Sequence, residues 1–157
     1  MAPSFWRPSL LRRRVLPFGG VLLLGWLIWF LSPGTEVYRT CREVAPYFGE
    51  DLELSRGSFS YWSYSDAGGD SDPGPISGSY VVEGNRLVLS HPSFIEGSQV
   101  RFQDRLGGVP VLWRKDGWEL WQEKGQIHPY GVLIRADRPL LPFLRPHRPS
   151  LSKISSR

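Results

Sequence analysis

The chain has 157 residues, with 19 Lys/Arg against 15 Asp/Glu and a net charge of +4. The excess sits at the ends: residues 1–14 and 138–157 hold bases and no acid, while 32–137 holds 10 Lys/Arg against 15 Asp/Glu. A nucleic-acid domain carries its positive charge on the fold itself, so nucleic acid is not an expected partner. The single cysteine, Cys41, excludes an intramolecular disulfide and a cysteine metal cluster.

In chain order, residues 1–14 form a basic segment containing Arg7, Arg12, Arg13 and Arg14. Residues 15–31, VLPFGGVLLLGWLIWFL, carry no charge. Their length is at the short end for a spanning helix, and Trp26, Trp29 and Phe30 stand where an interfacial aromatic belt would lie. The arginines before the segment orient it with the N-terminus in the cytoplasm and everything after residue 32 outside. The competing reading is a cleaved signal peptide, for which Ser32-Pro33-Gly34-Thr35-Glu36 is a poor cleavage site.

Residues 32–50 read as a juxtamembrane linker with a short helix: Thr35 caps it, and Val37, Cys41 and Val44 share one face. Residues 51–137 read as an antiparallel β domain. Leu52 and Leu54 open a strand that turns at Arg56-Gly57, and Phe59 and Tyr61 alternate with polar residues after it. Residues 65–78 are rich in Asp, Gly, Ser and Pro, a loop composition. SYVVEGNRLVLS is a hairpin about Gly84-Asn85, with Glu83 opposite Arg86, Val82 opposite Leu87 and Tyr80 opposite Leu89. Residues 100–123 read as three strands, turning at Gly107-Gly108 and again at Asp116-Gly117. The second turn sets Arg114 opposite Glu119 and Leu112 opposite Trp121. A last strand covers 130–135. Residues 138–157 form a basic, Pro-rich tail expected to be disordered. The tail has two further readings, contact with anionic lipid and contact with the acidic domain.

Short strands joined by tight turns define the expected fold class: mainly β, a small antiparallel meander forming a sandwich or partial up-and-down barrel, preceded by a transmembrane helix. The segments LELSRGSF, GSY and GNRLVL resemble the turn-and-strand pattern of lipocalin-like β-meander domains of bacterial membrane-anchored envelope proteins. The resemblance spans roughly residues 50–135. It implies a curved sheet or partial barrel around an apolar cavity and carries over no catalytic residue. The Gly-x-Trp entry motif of lipocalins is absent.

The loop holding Asp66, Asp70 and Asp72 is the candidate binding loop. Three carboxylates suit a hard cation, yet the loop lacks the bidentate Glu and the spacing of a calcium loop. His91, His128 and His147 have no second ligand at metal-site spacing, so neither a metal nor another cofactor is expected. Trp62 and Trp121 are the aromatics expected to be exposed, as a face for a partner, a sugar or the membrane. No nucleophile elbow or phosphate loop occurs. The expectation is therefore a non-enzymatic, single-pass protein of the cell membrane, presenting its extracytoplasmic β domain to another envelope protein or an apolar ligand. The rival is an envelope hydrolase using scattered carboxylates such as Asp66, Asp70 or Glu96.

Overall fold

A computed structural model describes residues 20–27, 34–44, 47–65, 74–136 and 146–155. The chain divides into two compact units, Met1–Gly34 and Thr35–Arg157. In the first, residues 20–27 are helical and carry exposed Val21, Leu22, Leu23, Leu24, Trp26 and Leu27. Among the described residues no helix is long and apolar enough to cross a membrane. The other positions of the span expected at 15–31 lie outside the described residues.

The second unit is a closed antiparallel barrel of eight strands in sequential order. The strands are β1 (Glu36–Thr40), β2 (Phe48–Ser55), β3 (Ser58–Ser65), β4 (Ile76–Glu83), β5 (Arg86–Ser90), β6 (Ser98–Leu106), β7 (Val109–Trp113) and β8 (Val132–Arg135). Closure comes from β1 pairing β8, with Tyr38 opposite Arg135 and Thr40 opposite Leu133. It removes both sheet edges, the exposed ladders on which open sheets aggregate.

One end of the barrel is built from two-residue turns. Ser55 pairs Ser58, Glu83 pairs Arg86 and Leu106 pairs Val109. Each turn uses a left-handed residue: Arg56 (φ 48°) with Gly57, Gly84 (φ 64°), and Gly107 with Gly108. This is the chirality that matches strand twist. The Gly84-Asn85 hairpin has the register that its pattern predicts. At the other end the connections are long: residues 41–47, 66–75, 91–97 and 114–131.

Side chains alternate in and out along each strand. Tyr38, Leu52, Leu54, Phe59, Tyr61, Leu87, Leu89, Leu112 and Leu133 meet inside. An eight-stranded interior is just wide enough for side chains to fill. Leu52, Leu87, Leu89 and Leu112 have no exposure, so no void that admits water touches them. The barrel core is filled at mid-height, where an apolar cavity was expected.

A second core lies outside the wall. Val111, Trp113, Val132, Ile134 and Leu106 point outward, and Cys41, Val44 and Ile154 close over them. Much of this cover is helix α1 (Lys115–Lys124), which replaces the strand expected after Asp116-Gly117. The physical reason is topological. The free edge of β7 is already taken by β8, with Trp113 opposite Val132, so residues 115–124 have no ladder to join. They satisfy their backbone internally instead. Trp118 stacks on Phe102 and Trp121 on Trp113, each at 5.5 Å between centroids. Gly117 lies against the Gly131 backbone, where a Cβ would come within 2.8 Å of the Gly131 carbonyl oxygen. Gly125, at φ 62°, ends the helix by donating its N–H to the Trp121 carbonyl at 2.9 Å.

Two further expectations are corrected. The linker helix expected within 32–50 is strand β1, because the ring needs an eighth strand and Glu36 to Arg39 pair with Leu54 to Asp51. The β domain therefore starts at Glu36. The tail expected to be disordered is, over residues 146–155, docked on the wall and ends in helix α2 (Leu151–Ser155). Its charges find complementary partners. Arg148 and Arg39 both pair with Asp51, at 3.1 and 3.3 Å, and Arg148 also lies 5.2 Å over the Tyr64 ring. The Pro149 carbonyl accepts the Arg42 N–H at 2.9 Å. Glu43 accepts the Leu151 N–H at 3.0 Å and the Ser150 hydroxyl, anchoring the start of α2. Of the alternative readings of the tail, contact with the acidic domain is the one seen for Arg148.

Candidate functional site

Strand β6 positions the site. Its outward residues Phe102 and Leu106 belong to the outer core, so alternation turns Gln99, Arg101, Gln103 and Arg105 inward. On this strand the usual polarity is inverted: the apolar face is outside because α1 covers it, and a polar row runs along the inner wall. The row joins two clusters, one at each end.

At the tight-turn end the row enters an open pocket of about 400 Å³. Glu36, Tyr38, Asn85, Gln103, Arg105 and Arg135 line it. Arg135 pairs with Glu36 at 3.1 Å, and the Tyr38 hydroxyl donates to the same carboxylate at 3.0 Å. Burial, then the Glu36 charge, pushes the Tyr38 phenol well above its ordinary range, so Tyr38 stays a neutral donor. One Arg105 nitrogen donates to the Gly108 carbonyl at 2.9 Å. The pocket thus presents guanidinium, phenol and amide groups beside two carboxylates, Glu36 and Asp104.

At the long-connection end lies a buried ion pair. Arg101 is fully buried and Glu50 nearly so, and Arg101 Nη2 meets Glu50 Oε2 at 2.8 Å. The same nitrogen donates to Gln99 at 3.2 Å. Half-exposed Arg114 approaches the other Glu50 oxygen at 3.7 Å. Tyr61 also contacts Glu50, and burial followed by that carboxylate raises its pKa, with Arg101 opposing. Arg101 Nε and Nη1 are buried with no hydrogen-bond partner. Above this cluster the 91–97 connection folds tightly, with the Gly97 N–H on the Phe94 carbonyl at 2.9 Å. The Phe94 ring stacks on Phe59 at 5.9 Å and meets Tyr61 edge-on at 6.2 Å.

The candidate binding loop of Asp66, Asp70 and Asp72 lies outside the described residues. Trp62 and Trp121, expected on the surface, are both half-buried. Trp62 packs edge-on against Tyr64 at 6.3 Å, and Trp121 is held by its stack on Trp113. Glu96 is exposed on the 91–97 connection. His91 accepts the Ser93 N–H at 3.1 Å through Nδ1, and His128 lies against Tyr130. Among the described residues no group of three metal-ligating side chains forms. Cys41 is buried, its thiol pushed up to about 11 by burial and then by Glu43, which leaves it inert as a nucleophile at neutral pH.

Glu50, Arg101 and the β6 row escaped the sequence reading. A signal was present: QVRFQDR alternates between polar and apolar residues up to Gln103, and Asp104 breaks the pattern. The alternation does not say which face is inside.

The class that fold and site define is a closed eight-stranded antiparallel up-and-down barrel with a polar inner strand. Comparison with protein-family models, curated proteins and solved structures found no match to this chain.

Proposed function

We propose that the chain is a membrane-tethered, lipocalin-like binding module that takes a small hydrophilic anion, a carboxylate or phosphate, at its tight-turn mouth. The observation that carries this reading is the open pocket in which Arg105, Gln103 and Tyr38 converge beside the Arg135–Glu36 pair. Concave sites with a few convergent polar groups are where small ligands bind. The filled leucine core argues against an apolar ligand within the barrel. The tether rests on the uncharged run 15–31 and on the exposed apolar side chains of helical residues 20–27, which call for an apolar surrounding. The arginines at 12–14 favour an extracytoplasmic barrel.

Thermal unfolding of the full chain in detergent, with inorganic phosphate or citrate, tests the binding. A ligand at about 100 times its Kd stabilises by roughly 2.7 kcal/mol. That stabilisation should vanish in Arg105→Ala. An equal shift in wild type and variant overturns the reading of the site. For the tether, a reporter fused after Arg157 should be active only outside the cytoplasm; cytoplasmic activity overturns the orientation.

A further inference from the structure

The second cluster, beneath Phe94, has chemistry that its present contacts do not use. A guanidinium has five N–H donors, and the protein engages only those on Nη2 of Arg101. The unused donors on Nε and Nη1 are fully buried. Buried donors without partners are costly, and more so when charged. A ligand able to meet them therefore gains what the folded protein leaves unmet.

The surroundings define that ligand. Arg101 and Arg114 face one carboxylate, Glu50, which leaves one net positive charge. Asp116 also pairs with Arg114 but is largely exposed, so solvent screens it. One more negative charge brings Arg101, Glu50 and half-exposed Arg114 together to neutrality; a dianion would overshoot. Phe59, Tyr61, Leu87 and Leu89 supply apolar walls. The half-buried Phe94 ring, packed against that core, occupies the place of a flat apolar group. Phe94 touches Tyr61, Tyr61 touches Glu50, and Glu50 holds Arg101. On β6, Gln99 and Arg101 are the first two inward positions below the 91–97 connection, opposite Leu89 and Leu87.

We propose that the long-connection end of the barrel is a second, closed binding site for a monocarboxylate with a flat apolar body, its carboxylate on Arg101 and its body displacing Phe94 from Phe59 and Tyr61. The site is independent of the open pocket at the opposite end. Binding moves the 91–97 connection outward and leaves Glu50 on Arg101 Nη2 and Arg114.

The test uses the full chain in detergent, with phenylacetate as probe and phenylacetamide as its uncharged match. Removing the plug in Phe94→Ala should tighten phenylacetate binding about tenfold or more over wild type, as vacated apolar space is refilled. Phenylacetamide should bind Phe94→Ala at least about tenfold more weakly, since it lacks the charge that Arg101 complements. The Arg101 Nε–H resonance should shift with phenylacetate in wild type and in Phe94→Ala, and the shift should persist in Arg105→Ala. Equal binding of acid and amide to Phe94→Ala overturns the proposal, leaving an apolar cavity alone. An unmoved Arg101 Nε–H resonance in saturating phenylacetate overturns it too, and this readout needs only the wild-type protein if Phe94→Ala fails to fold.

Discussion

The two ends of the barrel differ in how the chain turns, and their chemistry differs with it. At one end three two-residue turns leave the mouth open. Its ion pair, Arg135–Glu36, is more than a third exposed on both sides. At the other end the connections are long, and the pair Glu50–Arg101 is buried there. Tight turns have no length with which to cover anything. Long connections cover, and what they cover loses its water. The same pairing of carboxylate and guanidinium is thus a screened surface contact at one end and a high-stakes buried contact at the other.

The sharpest way to break this comparison is to delete one arginine from each end. Arg101→Ala should lower stability by about 3–5 kcal/mol, since it strands a buried Glu50. Arg105→Ala should stay within about 0.5 kcal/mol. Urea unfolding of both variants decides it; similar losses would mean that burial does not separate the ends. Replacing the buried pair together, Glu50→Gln with Arg101→Met, should recover most of the loss, because no uncompensated ion is left buried.

Glycine substitutions come next in size. Gly117→Ala places a Cβ against the Gly131 backbone and should cost about 1–3 kcal/mol by overpacking. It should also loosen the Trp118 and Trp121 stacks, read as a change in near-ultraviolet circular dichroism. Gly84→Ala meets nothing within 4 Å and is opposed only by its φ of 64°, a cost of about 1–2 kcal/mol. Its aromatic spectrum should be unchanged.

Two pH effects are smaller. The Cys41 thiol is raised from 9.0 to about 11 by burial first and Glu43 second. The folded state therefore holds its proton more tightly than the unfolded chain does. Stability from this group is complete below pH 9 and is lost as pH rises toward about 11. Unfolding free energy should fall over that interval, and less steeply in Cys41→Ala. Glu43 moves the other way. Desolvation pulls it up, but the Ser150 hydroxyl and the Leu151 N–H outweigh that and bring it from 4.5 to about 2. Its contribution is present above pH 4.5 and fades as pH falls through about 2. The C-terminal segment should exchange amide protons faster at pH 2 than at pH 5, with the barrel amides still protected. Glu43→Gln should reproduce part of that effect at neutral pH.

How much of this was legible follows the same division. Arg56-Gly57, Gly84-Asn85 and Gly107-Gly108 were readable because a two-residue turn is a local event: backbone freedom and flanking alternation both lie within a few residues. Asp116-Gly117 carries the same local signal and forms a helix. Whether residues 115–124 could pair depended on β8 having already taken the edge of β7. Trp62 and Trp121 were legible as large aromatics near the surface. That each would be half-buried against a neighbouring ring depended on partners elsewhere in the chain.

The sequence by itself therefore determined a β class, the turns of one end and the uncharged run near the N-terminus, because each depends on neighbouring residues alone. Tertiary structure decided the closure through β1, the docking of Arg148 on Asp51 and the direction of β6. The last is the most consequential. Val100, Phe102, Asp104 and Leu106 alternate with Gln99, Arg101, Gln103 and Arg105, and either row satisfies the period of a strand. Only the cover supplied by α1, distant in sequence, gives the apolar row a place outside the barrel, and so turns the arginines inward.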